Sequence, residues 1–246
     1  MAEAPAKEQG LIQALARVYD QVATPERVGR DLLYVEAMLD LYRKYPTDHE
    51  IATLYSAALM TKSAWDYWTP DGKPRPGTLD AVTALNGVLN YDLQHPGANH
   101  LFIHLLEDSQ NPEDALPHAE RLADMMTNVG HMVHMPTHIY IRTGLYQKAI
   151  DSNVQSIDAA NSFITAWGDH DVPMGVPSLS SSDRTHASHA MDFIHMAAVL
   201  QGNAATSIDT AKKIATRSAP HLALTAGMQR RFAKPMLTYR RYAKWD

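Results

Sequence analysis

Two histidine pairs in the middle of the chain are separated by a constant offset, and this offset restricts the possible folds more than any other feature. The offset of 34 residues joins His100 to His134 and His104 to His138. A side-chain pattern that recurs at a fixed period of this size is typical of a chain built from repeated structural units. We therefore expect one such unit to occur at least twice.

An alanine followed by an aliphatic residue shares the same register. The offset places Ala115-Leu116 on Ala149-Ile150, and a small residue there would let two paired helices touch. A third copy begins at Gly202, where Ser207-Ile208 follows Ala149-Ile150 by 58 residues. This distance is one repeat plus an insertion of 24 residues, which we assign to the stretch TAWGDHDVPMGVPSLSSSDRT.

The hydrophobic periodicity is helical along nearly the whole chain. Segments such as EQGLIQALARVYDQVA and VGRDLLYVEAMLDLYRKYP carry apolar residues three and four positions apart, which is typical of amphipathic helices. The stretch TPDGKPRPG is rich in helix breakers and predicts a loop. Alternating patterns are limited to brief, ambiguous ones such as HIYIR. The sequence predicts an all-α fold.

The period and one motif together resemble the tetratricopeptide repeat, a helix-turn-helix unit that stacks into a solenoid. The motif is Y-x3-G-x-Y-x2-A-I, from Tyr140 to Ile150. On this basis we predict a single tetratricopeptide-repeat-like helical domain over residues 1–246. Its predicted parts are N-terminal helices (1–46), a repeat-like pair with a long loop (47–92), repeats (93–127, 128–162 and 187–217), an insertion loop (163–186) and a C-terminal helix (218–246).

Several longer stretches resemble a family of bacterial tetratricopeptide-repeat proteins of poorly defined function. They are ALMTKSAWDYWTPDGKPRPGT, HPGANHLFIHLLEDS and GHMVHMPTHIYIRTG, with a weaker match at HASHAMDFIHMAA. The resemblance covers most of residues 25–215. Members of this family are usually longer, so the chain looks like their central part. The resemblance implies a fold and a bacterial origin, and very little chemistry.

Composition limits the classes of partner. The formal net charge of −5 and the lack of a basic face argue against a nucleic-acid partner. No apolar run approaches the roughly 20 residues of a membrane span, and the N-terminal MAEAPAKEQG does not predict a signal peptide. We expect a soluble protein, cytoplasmic or periplasmic. The absence of cysteine excludes thiolate metal sites, and the oligomeric state is left open.

The resemblance to tetratricopeptide repeats implies that the first helix of each repeat lines a concave groove. Three sets of side chains fall on such helices in the predicted register: His100, His104 and Glu107; His131, His134 and His138; and His189, Asp192 and Met196. Within each set the spacing places the side chains on one helical face. Pro136 suits the first turn of a helix, so His131 and His134 could instead lie in the approach to it.

These sets predict a metal site. Two histidines at i and i+4 give a metal two ligands from one helix, and neighbouring helices lie about 8–10 Å apart. We predict that the ligands are His100, His104, His134, His138 and His189, with Glu107 and His131 as catalytic residues. The predicted cofactor is a divalent transition metal, with copper slightly favoured and zinc or iron as alternatives. The preference for copper comes from Met132, Met135 and Met196, although the first two are expected to fill the core.

Several of the other residues allow more than one interpretation. Glu107 could be a ligand, a partner that orients an imidazole, or a solvated residue. Trp65 and Trp68 could form a wall of a substrate pocket with Tyr140 and Asp192, or belong to the core. His95, directly before Pro-Gly, is expected to mark a helix start. The serine-rich stretch before His186 could cover the groove or be disordered.

Two functions from different classes are compatible with the sequence. The first is a metal-dependent enzyme, an oxidoreductase or a hydrolase, that acts on a small molecule or peptide in the groove. The second is a non-catalytic repeat scaffold whose histidines recognise a peptide, a partner protein or a small anion.

Overall fold

The computed structural model describes residues 4–19, 26–167, 171–172, 176–177, 181–221, 223 and 226–244. These residues are almost entirely helical, which confirms the predicted all-α class. The backbone contacts divide the chain into two compact units, Met1–His118 and Ala119–Asp246, each with its own set of packed helices. None of the described helices combines the length and the apolar character that a membrane span requires.

The first unit is a series of helices in which each packs against the next. The helices are α1 (Ala6–Tyr19), α2 (Arg27–Lys44), α3 (His49–Lys62), α4 (Thr78–Tyr91) and α5 (Pro96–Leu106), followed by a 3-10 turn (Pro112–Ala115) and by α6 (Leu116–Met125), which continues past the end of the unit. Met38, Ile51 and Leu85 are almost completely buried between them and form the centre of the core. Burying each of these side chains stabilises the fold by roughly 1.5–3 kcal/mol.

Two side chains define helix starts in this unit. Asp48 accepts a hydrogen bond from the backbone N–H of Ile51 at 3.0 Å and caps α3. His95 accepts one from the N–H of Ala98 at 3.1 Å and caps α5, which Pro96 then begins. Both bonds satisfy backbone donors that the first turn of a helix leaves without a partner. The prediction that His95 marks a helix start is confirmed.

The loop between α3 and α4 holds the two tryptophans in different surroundings. Trp68 packs against the core, and its Nε1–H donates a hydrogen bond to the carbonyl of Leu105 at 2.7 Å. Trp65, by contrast, is 65% exposed. Trp68 therefore fastens the loop to α5, as the core interpretation expects, whereas Trp65 is available for contacts at the surface.

The second unit is built around its two longest helices, which pack against each other. Its elements are α7 (Gly130–His134), α8 (Pro136–Arg142), α9 (Tyr146–Trp167), β1 (Asp171–Val172), β2 (Val176–Pro177), α10 (Ser181–Gln201), α11 (Ala204–Ser218), a 3-10 turn (Ala219–His221), α12 (Ala226–Phe232) and α13 (Lys234–Arg241). Helices α7 and α8 pack on α9, which pairs with α10. Helix α11 packs on α10, and α12 and α13 pack on α11.

The connection predicted at 163–186 is shorter than the sequence suggested. Helix α9 extends to Trp167 and α10 begins at Ser181, so both ends of the predicted loop are helical. Serine and aspartate are favoured at helix starts as well as in loops, which explains why composition alone placed the boundary too late. Between the helices, β1 and β2 pair in antiparallel fashion. The remainder of the connection, and with it the predicted cover over the groove, lies outside the described residues.

The C-terminal segment also departs from the prediction of one helix at 218–246. It contains the 3-10 turn, α12 and α13, with Ala233 between the last two helices. Pro235 lies in the first turn of α13. Proline has no backbone N–H and cannot continue a preceding helix, but it fits the first turn of a new one. This accounts for the division of the segment.

The register of 58 residues predicted within the second unit is visible in its backbone. Gly144 and Gly202, which lie 58 residues apart, have φ angles of +79° and +78° and follow α8 and α10 respectively. The residue after each glycine donates its N–H to the carbonyl five positions earlier, at 2.8 Å and 2.9 Å. Ala149 and Ser207, the small residues of the two copies, are both fully buried. The two helix ends have the same left-handed glycine cap.

Candidate metal centre

One helical run carries three of the predicted histidines. Met135, between α7 and α8, has helical angles of φ −51° and ψ −41°, and its N–H donates to the carbonyl of His131 at 3.1 Å. Pro136 removes one backbone donor without turning the chain away from the helical path. His131 and His134 therefore lie within helical turns and not in an extended approach. His134 and His138 occupy the same face of this run, four residues apart.

His134 is completely buried, and Asn153 of α9 determines which ring nitrogen carries its proton. The Asn153 amide nitrogen donates to the carbonyl of Ala149 at 2.7 Å and to Oγ1 of Thr137 at 2.8 Å. This orients the amide oxygen toward Nδ1 of His134, 2.7 Å away. An amide oxygen only accepts hydrogen bonds, so Nδ1 of His134 is the protonated nitrogen. Its Nε2 consequently presents a lone pair.

Two further imidazoles lie close to this one. Nε2 of His134 lies 3.1 Å from Nε2 of His138. The candidate ligand nitrogens of His134, His138 and His189 all lie within 4.8 Å of one another. Two nitrogens bound to one ion at about 2.0–2.1 Å would be about 3.3 Å apart in a tetrahedral site. The first pair already has this separation, and His189, which is exposed, needs only a small side-chain movement to complete a three-histidine site.

An aromatic ring shields the three imidazoles. The ring centroid of Phe193 lies 4.7 Å from that of His134 and 4.9 Å from those of His138 and His189. The pKa of His134 lies well below 6.5, mainly because the ring is buried and also because His138 is close, although the bond to Asn153 opposes the shift. Loss of hydration and the same neighbour lower the pKa of His189. Both rings are therefore neutral at pH 7, which is the form that binds a metal.

A further histidine, His186, lies beside this group and was not assigned a role from the sequence. Its Nε2 lies 2.6 Å from Oγ of Ser156, which in turn donates to the carbonyl of Gly130 at 2.7 Å. The ring centroid of His186 is 5.6 Å from that of His134 and 6.0 Å from that of His131. His186 precedes His189 by three residues, the spacing that also separates His131 from His134, and this signal could have identified it.

His131, predicted to be catalytic, is exposed and lines a small cavity with His186. Gly130 and Phe163 also line this cavity, which encloses about 90 Å³. The volume admits a few water molecules or a small ligand group. His131 is thus placed next to the three-histidine group but outside it.

The predicted residues of the first unit form a separate polar cluster. Nδ1 of His104 lies 2.7 Å from a carboxylate oxygen of Glu107, and both side chains are mostly buried. The ring centroids of His100 and His104 are 5.1 Å apart, and the edge of the Trp65 indole lies near His104 at a centroid distance of 6.1 Å. Of the three roles open to Glu107, this contact favours a partner that orients an imidazole. The prediction that this cluster meets His134 and His138 at one ion concerns both units and stays a prediction.

The other predicted pocket residues have different surroundings. Tyr140 is only 5% exposed, and the ammonium group of Lys148 lies 5.5 Å from the centre of its ring, which is the environment of a core residue. Asp192 forms ion pairs with Arg231 and with Lys234, the latter at 2.8 Å. It therefore organises the basic side chains of α12 and α13.

The methionines give little support for a particular metal. Met132 is 9% and Met135 0% exposed, so both fill the core as expected. Met196 is 40% exposed. Of these three methionines, only Met196 is exposed enough to offer a thioether ligand to copper.

Comparison with known proteins does not assign the chain to a family. No family model matches it, and no curated protein matches it significantly. The geometry of the histidines therefore carries the functional argument.

Proposed function

We propose that the chain is a helical-repeat metalloprotein in which His134, His138 and His189 hold one divalent transition metal ion. The single observation that carries this proposal is the buried imidazole of His134. Asn153 fixes its tautomer, its Nε2 lies 3.1 Å from Nε2 of His138, and a ligand nitrogen of His189 lies within 4.8 Å of the other two. A buried, oriented imidazole is the arrangement found around metal ligands in proteins. The glycine caps that recur after 58 residues support the further proposal that the helices belong to a tetratricopeptide-like solenoid.

The residues fit a catalytic metal ion better than a structural ion whose coordination positions are all filled by protein ligands. Three protein ligands leave a coordination position open for water or substrate, which is the usual difference between catalytic and structural zinc sites. His189 is exposed, so a site that includes this ring is accessible to solvent. A bound ion at such a position would activate water or dioxygen, which corresponds to a hydrolase or an oxidoreductase. Imidazole ligands suit zinc, copper and iron alike.

The neighbouring side chains have defined tasks in this proposal. Asn153 keeps the proton of His134 on Nδ1, so that Nε2 is always available. Phe193 excludes water from one side of the three rings. His131, at the edge of the cavity beside them, is placed to exchange a proton with a molecule bound there.

A metal-competition titration tests the proposal. Untagged protein should bind about one Zn²⁺ or Cu²⁺ per chain, and His138→Ala and His189→Ala should each weaken the affinity by at least about 100-fold, since even the loss of a hydrogen-bonded neighbour of a ligand costs about 10–100-fold. His49→Ala is the control, because His49 lies in the first unit against Tyr91. Equal affinities in all four proteins would show that these histidines are not ligands and would favour the scaffold alternative.

A further inference from the structure

A second cavity of the second unit has a strongly basic lining. It encloses about 480 Å³, within the range of about 300–1,000 Å³ that is usual for small-molecule sites. The polar side chains around it are those of Ser188, His189, Arg217, Ser218, His221 and Arg231. Among these lining residues there is no carboxylate. The cavity thus offers two guanidinium groups and several further donors to one ligand.

The charge balance around the cavity is positive. Asp192 accepts from Arg231, but Lys234 donates to the same carboxylate at 2.8 Å, so one negative charge is shared by two positive ones. With Arg217, the four groups carry a net charge of +2. The cavity lies near the C-terminus of α11, whose partial charge is about −0.5. This offsets only part of the positive charge.

The two guanidinium groups are held in place from the same helix. Arg231 donates to the backbone carbonyl of Ser188 at 2.9 Å as well as to Asp192. Nε of Arg217 lies 3.4 Å from Oγ of Ser188. Ser188 of α10 is therefore the residue at which Arg217 of α11 and Arg231 of α12 approach each other. Guanidinium groups bind carboxylate and phosphate with two parallel hydrogen bonds, which makes paired arginines suited to oxyanions.

The cavity also adjoins the proposed metal centre, because His189 belongs to both. We propose that Arg217 and Arg231 bind the oxyanion group, a phosphate or a carboxylate, of a small-molecule substrate whose other end reaches the ion at His189. The oxyanion site stands on its own charges and geometry, whereas the contact with the ion rests on the proposed metal function. The arrangement gives the substrate one anchoring group, at the arginines, and one reacting group, at the ion beside His189.

Calorimetric titration of metal-free protein with inorganic phosphate and with succinate tests the oxyanion site. At least one anion should bind, and Arg217→Gln should weaken it by about tenfold or more, the usual effect of losing a hydrogen bond to a charged group. Arg230→Gln is the matched control, since Arg230 is exposed on α12 and does not line the cavity. Binding of phosphate alone would indicate a phosphate ester and binding of succinate alone a carboxylate.

Two results would overturn the oxyanion site: neither anion binds, or Arg217→Gln and Arg230→Gln bind as tightly as each other. The same titration on Zn²⁺-loaded protein tests the contact with the ion, and tighter anion binding than in the metal-free protein is expected. If the protein takes up no metal but still binds the anion through Arg217, the oxyanion site stands and the metal proposal fails. If it takes up metal and anion affinity is unchanged, the contact between them is disproved.

Discussion

Replacing Asn153 by alanine tests how the fold orients His134 in the proposed metal site. The fully buried amide makes three hydrogen bonds, to His134, Thr137 and Ala149. The substitution leaves the N–H of the buried His134 ring without this acceptor, and a buried donor without a partner costs roughly 1–3 kcal/mol. The loss of the other two bonds adds about 0.5–1.5 kcal/mol each. We expect the free energy of unfolding of the metal-free protein to fall by about 2–6 kcal/mol.

Metal affinity should fall as well, for a separate reason. Without Asn153, the proton of His134 can move to Nε2 and the ring can rotate, so the ligand is no longer oriented. Loss of such a hydrogen-bonded partner costs about 10–100-fold in affinity, or about 1.4–2.7 kcal/mol. Urea unfolding of metal-free protein and competition with a chromophoric chelator at pH 8 measure the two effects.

Asn161→Ala supplies the control for both measurements. Asn161 lies on the same helix, α9, but is exposed. This variant should retain the stability and the metal affinity of the wild type within about 0.5 kcal/mol, as surface substitutions usually do. A folded Asn153→Ala protein that binds metal as tightly as Asn161→Ala would refute the role assigned to Asn153.

Three further predictions concern stability. Burial, together with the nearby Lys234, lowers the pKa of His195 to about 4. This ring therefore contributes stability above pH 6.5 that is lost as the pH falls toward 4, and solvent screening of the half-buried ring limits the loss to about 1–2 kcal/mol. His195→Gln should flatten the pH dependence of urea unfolding. In Gly130→Ala, the new Cβ would lie 2.9 Å from the Ala160 Cβ, so we expect about 1–3 kcal/mol of destabilisation and weaker metal binding. Gly144→Ala, at φ +79° with open space around it, should cost about 1 kcal/mol of unfolding free energy through backbone strain alone, and metal affinity should not change; a larger loss, or none, would contradict the strain argument.

The sequence contained the helical class and most of the histidines of the proposed metal site. Apolar spacing predicted helices where they occur, and the predicted offset of 58 residues also separates the matching turns at Gly144 and Gly202. The i, i+4 spacing was sufficient to put His134 and His138 on one face, because the pitch of an α-helix fixes that relation. His189 was found through the repeat register.

The parts that were missed depend on contacts between elements. Asn153 lies on α9, outside the helices that the predicted register assigns to the groove. Its role follows from the bonds around its amide. His186 sits close to a serine-rich stretch whose composition resembled a loop, although α10 already includes it. The basic cavity joins α10, α11 and α12, and no spacing within one helix could reveal it. Local periodicity encodes helix faces, whereas side-chain partners depend on how the helices pack.

X-ray absorption spectroscopy on untagged protein, reconstituted with one equivalent of Zn²⁺ and freed of excess ion, determines whether these histidines bind the metal. We expect near one zinc per chain and about three imidazole nitrogens at roughly 2.0–2.1 Å. His138→Ala protein treated in the same way should retain far less zinc. A zinc content near zero in the wild type, or a coordination shell of oxygen atoms without imidazole, would contradict the proposed three-histidine site.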